Sequence, residues 1–283
     1  MEARMKNWLH GKTVVLTGAS SGIGKEICKI LICDYGASVI GIGRSEQKML
    51  NLVGELGALS DNFSYELFDV GSKDEWTAFS ERLTEKAITP TLLINNAGAF
   101  IPFSKTESCD SESVEALTKT NYLSSVYACE ALLPIIRKSQ TPAVYFVCSS
   151  SALCPVAGTA AYSASKGAMK GYAEALMLDS DGLYVGIAFP GTTKTDLFRD
   201  DENTKDSALD KIALSPKKMA KKIASAILKK RKRIVPGFDA KMMSFTAKLA
   251  PVTGLTLIKN VMKASKSKVF TNVFGDATKK KDE

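Results

Sequence analysis

The stretch YSASK places the phenol of Tyr162 and the ammonium of Lys166 four residues apart. The surrounding segment, AYSASKGAMKGYAEAL, has the composition of an α-helix, on which residues at this spacing share a face. A cation about 4 Å from the phenol would contribute on the order of 4 kcal/mol at an effective dielectric constant of about 20, or roughly three pK units toward the phenolate. We therefore expect Lys166 to lower the Tyr162 pKa enough for proton exchange with an alcohol or ketone oxygen near neutral pH.

A glycine-rich loop, TGASSGIG at residues 17–24, joins a predicted first strand, TVVLT, to a predicted helix. Such glycines allow a sharp turn and a close approach of the backbone to a pyrophosphate, and the helix N-terminus offers free N–H groups to an anion. The loop predicts a dinucleotide site, although a tight turn without a ligand could carry the same glycines. The residues expected to contact the cofactor here are Gly18, Ser20, Ser21, Gly22, Ile23 and Gly24.

Arg44 follows the second predicted strand, SVIGI, where a dinucleotide-binding protein contacts the adenosine ribose. No Asp or Glu precedes it at the end of this strand, and a guanidinium can bind a 2′-phosphate through two hydrogen bonds. The sequence therefore favours NADP(H) over NAD(H). The alternatives are a solvated arginine and a ribose contact from Glu46.

Short apolar, β-branched runs alternate with helical patterns along most of the chain. This alternation predicts an α/β fold of Rossmann type, in which helices cover both faces of a doubly wound, parallel, seven-stranded sheet. A polar segment at 198–214 is expected to form a loop near the substrate. The strands predicted after the first two are YELFDV (65–70), TLLINN (91–96), AVYFVCS (143–149), YVGIAF (184–189) and RIVPG (233–237).

Charge is distributed unevenly, with 20 Lys+Arg and 26 Asp+Glu in residues 1–214 but 18 and 4 in residues 215–283. The basic region carries apolar residues at helical spacing, which fits either a helix resting on an anionic membrane surface or packing on the domain. These residues are Phe238, Met242, Phe245 and Leu249. The KKRKR run at 229–233 has no interleaved aromatic or glycine residues, which disfavours nucleic-acid binding.

The composition also excludes several classes of protein. A single histidine, His10, argues against a Ser-His-Asp hydrolase or a histidine-rich metal site. The six cysteines contain no CxxC pair and are expected to be reduced and buried. The N-terminal segment lacks the apolar run of a signal peptide, and no segment reaches the roughly 18 apolar residues that span a bilayer. We expect a cytoplasmic protein, with peripheral contact at the cytoplasmic membrane face through its basic C-terminal region.

Four motifs, in this order and at this spacing, resemble those of the short-chain dehydrogenase/reductase family over about residues 11–196: TGASSGIG, NNAG at 95–98, the serines at 149–151, and YSASK. The resemblance implies that Tyr162 protonates a carbonyl oxygen while hydride arrives from the nicotinamide. It implies that Lys166 lowers the pKa of Tyr162 and holds the nicotinamide ribose, and that Asn121 carries a water-linked proton relay to Lys166. Ser149 matches the substrate-orienting serine, with Ser150 as the alternative.

The resemblance also implies a set of further cofactor contacts and a domain organisation. Residues 1–237 would form the NADP-binding reductase domain, including the catalytic helix, and residues 238–283 a basic helical C-terminal extension. Family members commonly form dimers or tetramers, so a homo-oligomer is expected. The implied contacts are Asp69 and Val70 with the adenine, Asn96 and Ala97 after the fourth strand, and Pro190, Thr193 and Thr195 with the nicotinamide carboxamide.

Within the family, the segments around Asn121 and Tyr162 and the LAPVTGLTLI segment (249–258) resemble 3-ketodihydrosphingosine reductases, and DltE-like reductases look similar. The resemblance implies an NADP(H)-dependent oxidoreductase that interconverts a ketone and a secondary alcohol, with a long-chain lipid such as 3-ketosphinganine as one candidate substrate. A reductase of a 3-oxoacyl, steroid or sugar carbonyl is an alternative. A non-catalytic NADP-binding sensor or scaffold is another, although such proteins usually lack the tyrosine or the lysine.

Overall fold

Seven parallel strands form one sheet in the computed structural model, which describes residues 7–179, 181–195 and 211–275. The strands are β1 (Thr13–Thr17), β2 (Ser38–Gly43), β3 (Phe63–Leu67), β4 (Leu92–Asn95), β5 (Ala143–Val147), β6 (Tyr184–Ala188) and β7 (Arg233–Ile234). Their order is β3-β2-β1-β4-β5-β6-β7, so the chain reverses direction across the sheet between β1 and β4. In doubly wound folds, ligands bind outside the carboxyl ends of the strands at such a switch point.

Helices cover both faces of the sheet and bury two separate apolar clusters. Helices α1 (Gly22–Cys33), α2 (Glu46–Leu56) and α7 (Pro216–Leu228) pack on one face. Helices α3 (Lys73–Glu85), α5 (Ser124–Ile136) and α6 (Ala160–Asp179) pack on the other, and a shorter α4 (Ser111–Thr118) precedes α5. The central strands β4 and β5 are buried at every residue, as expected for strands covered on both sides. The predicted fold class is confirmed.

Within the described residues, three further α-helices follow β7: α8 (Phe238–Leu249), α9 (Thr253–Ala264) and α10 (Thr271–Phe274). They lie against the carboxyl edge of the sheet. A Cβ on Gly254 would come within 2.8 Å of the carbonyl oxygen of Thr246, so α8 and α9 pack with their backbones close together. The Phe270 ring packs edge-on against Phe103, with ring centroids 5.0 Å apart. The predicted extension is therefore helical where the structure describes it, and its boundary at residue 237 stays a prediction.

Two sequence predictions need correction. The third strand ends at Leu67 and does not continue to residue 70, because the chain turns where the Asp69 carboxylate accepts a hydrogen bond from the Gly71 N–H. The cysteines are reduced, but Cys33, the last residue of α1, is exposed, and Cys109, just before α4, is half-buried. Most of the predicted loop at 198–214 lies outside the described residues.

The described ranges contain neither a membrane-spanning helix nor a metal-ligand cluster. No helix there is long and apolar enough to cross a bilayer. Those ranges also hold no group of three metal-ligating side chains.

Candidate active site

A cavity of about 580 Å³ runs along the carboxyl edge of the sheet, from the glycine loop to helices α8 and α9. It brings together most of the residues predicted from the sequence. Those that line it are Gly18, Ser21, Gly22, Ile23, Gly24, Asn96, Ala97, Ser149, Tyr162, Lys166, Pro190, Thr193 and Thr195. Among the described residues that line the cavity, Asp239 is the only carboxylate.

Tyr162 lies in the first turn of α6, and its side chain is almost entirely buried. Its ring packs edge-on against Phe100, with centroids 4.9 Å apart. Burial raises the pKa of Tyr162 to about 12, and hydrogen bonding with the Ser149 side chain opposes this rise. At neutral pH the phenol is therefore protonated, which is the form that can donate a proton to a carbonyl oxygen.

Lys166 is also buried, one helical turn beyond Tyr162, and burial lowers its pKa. Its Nζ lies beside Gly98, where an added Cβ would stand 3.2 Å from Nζ and 3.2 Å from Asn121 Oδ1. The prediction that Lys166 lowers the Tyr162 pKa is wrong for the protein alone. Burial disfavours the charged form of both groups, and it is the largest cause of the shift of each pKa.

Asn121 lies behind the cavity wall, in a π-helical turn (Lys119–Leu123) that joins α4 to α5. Single π turns inside helices often occur at functional sites. The side chain is fully buried and makes three hydrogen bonds. Its Oδ1 accepts from the Ala99 N–H (2.7 Å), and its Nδ2 donates to the Ala99 carbonyl and to Ser165 Oγ (both 3.0 Å). Asn121 thus fastens the segment after β4 to the helix that carries Lys166.

The serine cluster follows β5 and forms a short 3₁₀ turn. Ser149 Oγ accepts a hydrogen bond from the Ser151 N–H (3.1 Å) and also interacts with the Tyr162 phenol. The Ser150 N–H donates to the Pro190 carbonyl (2.9 Å) and so ties this turn to the segment after β6. The interaction with Tyr162 favours Ser149 as the residue that would orient a substrate oxygen.

The glycine loop has the geometry expected of a phosphate-binding turn. Gly18 and Gly22 adopt φ angles of +66° and +52°, a region that favours glycine. A Cβ on Gly24 would come within 2.5 Å of Asn96 Nδ2 and closer still to the Gly18 carbonyl oxygen, so no side chain fits there. No side chain caps the start of α1, which leaves its first N–H groups facing the cavity.

Asn96 has a structural role that the sequence did not indicate. Its Nδ2 donates to the Thr17 carbonyl (2.9 Å), while Thr17 Oγ1 accepts from the N–H groups of Asn96 (2.8 Å) and Ala97 (2.9 Å). These bonds fix the end of β4 to the glycine loop. Any cofactor contact from Asn96 or Ala97 therefore comes from a segment that is already rigid.

The segment after β6 is hydrogen-bonded to a residue that sequence reasoning missed. The buried carboxylate of Asp239, in the first turn of α8, accepts a hydrogen bond from the Thr192 N–H (2.7 Å). A Cβ on Gly191 would collide with this carboxylate. Asp239 therefore couples the C-terminal helices to the predicted nicotinamide-binding segment, across 47 residues of sequence.

The residues predicted to contact the adenosine end lie outside the cavity, at the outer end of β2 and β3. Arg44 is exposed, and its Nη1 lies 3.9 Å from a carboxylate oxygen of Asp69. Ser20 lies beside Gly43, at the end of the strand that leads to Arg44. Val70 is buried against Phe68 and Trp76, so its side chain belongs to the core. Arg44 and Asp69 lie near each other, and Ser20, which belongs to the glycine loop, lies at the end of the strand that leads to Arg44.

The other half of the cavity is apolar and comes largely from residues that the sequence did not single out. Phe100 and Phe103 form one wall, with ring centroids 5.2 Å apart. Helices α8 and α9 and the turn after α9 line the rest of this half with hydrophobic side chains: Met242, Met243, Leu257, Ile258, Val261, Met262, Val269 and Phe270. Their separation in sequence from Tyr162 left no local signal to predict this contact.

The short chain dehydrogenase family matches residues 12–206. The chain is 31% identical over 262 residues to the 3-ketodihydrosphingosine reductase of Bos taurus, a match that covers 87% of this chain and 78% of that protein. It is 29% identical over 199 residues to 3beta-hydroxysteroid dehydrogenase 2 of Eggerthella lenta, covering 69% and 76%. A short chain dehydrogenase from Burkholderia cenocepacia, solved in complex with NADP, superposes with a TM-score of 0.74 at 20% identity, covering 88% of this chain and 98% of that one.

The protein belongs to the short chain dehydrogenase family. Its sheet has the seven strands that the sequence predicted. The glycine loop lines one cavity together with Ser149, Tyr162 and Lys166, as the sequence motifs predicted. It is an oxidoreductase of the type that interconverts a carbonyl and an alcohol.

Proposed function

We propose that the protein is an NADPH-dependent reductase of a ketone that carries a long apolar chain, with 3-ketosphinganine as the leading candidate. The observation that carries this proposal is the continuity of the cavity, which has Tyr162 and Ser149 in its polar part and a wall of aliphatic and aromatic side chains beyond them. A ketone held at Tyr162 would extend its chain along this wall. The similarity to a 3-ketodihydrosphingosine reductase supports the same substrate class.

The residues of the chain support carbonyl reduction in particular. When bound, NADPH would supply a hydride to the carbonyl carbon. Ser149 would donate a hydrogen bond to the carbonyl oxygen, and Tyr162, protonated at neutral pH, would transfer its proton to that oxygen as negative charge develops. Lys166, one helical turn beyond Tyr162, would supply a cation for the resulting phenolate, and Asn121 fixes the backbone beside Lys166.

The cofactor site fits a dinucleotide. The positive φ angles of Gly18 and Gly22 and the free N–H groups at the start of α1 provide a cradle for a pyrophosphate. Arg44, exposed at the end of β2 and without an acidic residue before it, supports a 2′-phosphate. Asp69, 3.9 Å away, partly offsets its charge, so the phosphate would displace this weak ion pair.

Thermal unfolding in the presence of each cofactor tests this choice. We expect NADPH to raise the melting temperature more than NADH at equal concentration, because a ligand that binds only the folded state stabilises it more when it binds more tightly. Arg44→Ala should remove the difference, while Arg137→Ala, at an exposed position far from the site, should preserve it. Equal shifts with NADPH and NADH in the wild-type protein would contradict the role of Arg44.

The substrate is tested by NADPH oxidation against a panel of ketones, from small diketones and sugars through 3-oxoacyl thioesters and 3-oxosteroids to 3-ketosphinganine. We expect kcat/KM to rise with the length of the apolar chain, and Tyr162→Phe to serve as the inactive control. A preference for a steroid would support the second candidate, which the Eggerthella lenta relative favours. A protein that binds NADPH but turns over no member of the panel would instead fit a sensor or scaffold.

A further inference from the structure

The outer surface of helices α8 and α9 combines exposed apolar side chains with positive charge. Along α8 the residues at spacings of four, three and four share one stripe. They are all more than half exposed: Phe238 (81%), Met242 (52%), Phe245 (64%) and Leu249 (70%). Val252, Leu257 and Val261 continue the exposed apolar surface into α9, at 76%, 58% and 60%. We call these seven residues the apolar face.

Within residues 238–275, all of which the structure describes, only lysines supply exposed charge. Residues 238–275 contain six lysines and a single carboxylate, Asp239, which is buried. Lys241 and Lys248 flank the stripe on α8, and Lys259 and Lys263 lie on α9. Single apolar residues are common on protein surfaces, but helices that combine several exposed apolar side chains with exposed charges of one sign indicate a partner with the opposite charge and an apolar interior.

The apolar face also adjoins the active-site cavity. Met242, Leu257 and Val261 line the cavity and are at the same time more than half exposed. The mouth of the apolar half of the cavity therefore opens within the apolar face. The buried Asp239–Thr192 hydrogen bond connects the start of α8 to the segment beside the catalytic residues.

We propose that the apolar face is a docking surface for an anionic phospholipid membrane, on which α8 and α9 lie in the interface and through which a lipid reaches the cavity. Each helix has twelve residues, about 18 Å, which is too short to span a bilayer but suits a helix parallel to its surface. The apolar side chains enter the acyl boundary, and the lysines contact the headgroups. The docking itself does not depend on the substrate, whereas the delivery of a lipid ketone rests on the proposed function.

Sedimentation with vesicles tests the docking without any turnover. We expect the full chain to bind phosphatidylcholine vesicles that contain about 30 mol % phosphatidylserine, and to be released as salt rises from about 0.1 M to about 1 M. Binding to pure phosphatidylcholine should be at least about tenfold weaker. Failure to sediment with any vesicle, or equal binding to both kinds, would overturn the proposal.

Two double variants, each with a matched control, assign the binding to the apolar face. Phe245→Ser with Leu249→Ser should lower the vesicle partition coefficient about tenfold or more, whereas Leu178→Ser, at an even more exposed leucine on α6, should leave it unchanged. Lys241→Glu with Lys248→Glu should do the same, whereas Lys86→Glu with Lys138→Glu, at the opposite edge of the sheet, should have little effect. Neither Phe245 nor Leu249 lines the cavity.

Activity measurements distinguish a failure of the docking proposal from a failure of the proposed function. The Phe245→Ser, Leu249→Ser variant should keep wild-type kcat on a water-soluble ketone and lose activity on a ketone presented in vesicles. If lipid ketones prove not to be substrates, the vesicle partition still tests the docking. If the variant instead dissociates a dimer in solution and vesicle binding is absent, the face joins two copies of the chain and the proposal fails.

Discussion

Replacement of Asn121 by alanine gives a quantitative test of how the site is held together. The substitution removes three hydrogen bonds and leaves the Ala99 N–H, the Ala99 carbonyl and Ser165 Oγ without that partner. A net loss of about 1 kcal/mol for each bond, together with the cost of poorly satisfied buried groups, gives a destabilisation of about 4 kcal/mol. For a chain of this size, that corresponds to a decrease in melting temperature of roughly 7 °C.

The same substitution should lower activity beyond its effect on stability. Without Asn121, the segment at Gly98 and Ala99 is no longer fixed relative to Lys166, and misplacement of reacting groups by about 1 Å can cost on the order of a hundredfold in rate. We therefore expect kcat to fall by about this factor, measured well below the melting temperature of the variant.

Asn121→Asp is the matched comparison, because a carboxylate can still accept from the Ala99 N–H but cannot donate to Ala99 or Ser165. It should recover part of the lost stability, measured by urea unfolding of both variants. A destabilisation below about 1 kcal/mol for Asn121→Ala would refute the reasoning, since it would mean that these bonds contribute little to the folded state.

Three further predictions concern the buried phenol and ammonium. Tyr162→Phe should lower kcat by about a hundredfold to ten-thousandfold, the usual contribution of a general acid, with unchanged cofactor-induced thermal stabilisation; retained activity would show that another group donates the proton. Burial raises the Tyr162 pKa to about 12, so kcat/KM for reduction should stay level from about pH 6 to about pH 9. A decrease in kcat/KM near neutral pH would show that Lys166 lowers the Tyr162 pKa. Lys166→Met should stabilise the cofactor-free protein by about 1.4 kcal/mol for each unit by which burial lowers the Lys166 pKa. This gain in stability should be complete below the lowered Lys166 pKa and should shrink as pH rises toward 10.5, the ordinary pKa of lysine. Urea unfolding at several pH values measures the gain. A gain that grows with pH would contradict burial of the Lys166 ammonium as its cause.

Local sequence was sufficient to predict much of the fold and of the polar half of the site. The six longer strands are short runs of apolar residues, and each was placed within two or three residues of its observed bounds. Gly18, Gly22 and Gly24 are required by backbone geometry, which a glycine pattern reports directly. Tyr162 and Lys166 share one helix, so their proximity follows from spacing alone.

The sequence could not predict effects that depend on distant packing. The direction of the Tyr162 pKa was missed because it depends on burial by Phe100 and its neighbours, which no local pattern reports. Asp239 looked like an ordinary first-turn acidic residue of a helix, and only the fold places it under Thr192. The π turn at Asn121 was likewise invisible, since its residues are those of a regular helix.

The link between Asp239 and Thr192 has a consequence for the order in which the protein can mature on the ribosome. All strands of the sheet except the short β7, and every residue of the glycine loop, are synthesised before residue 230, so the nucleotide half can fold while the chain is still growing. The carboxylate that supports the segment after β6, and the side chains from Met242 to Phe270 that complete the cavity, are synthesised after all of these. A nascent chain would therefore acquire a nucleotide site before it has an enclosed substrate site, and specificity would be the final property to form.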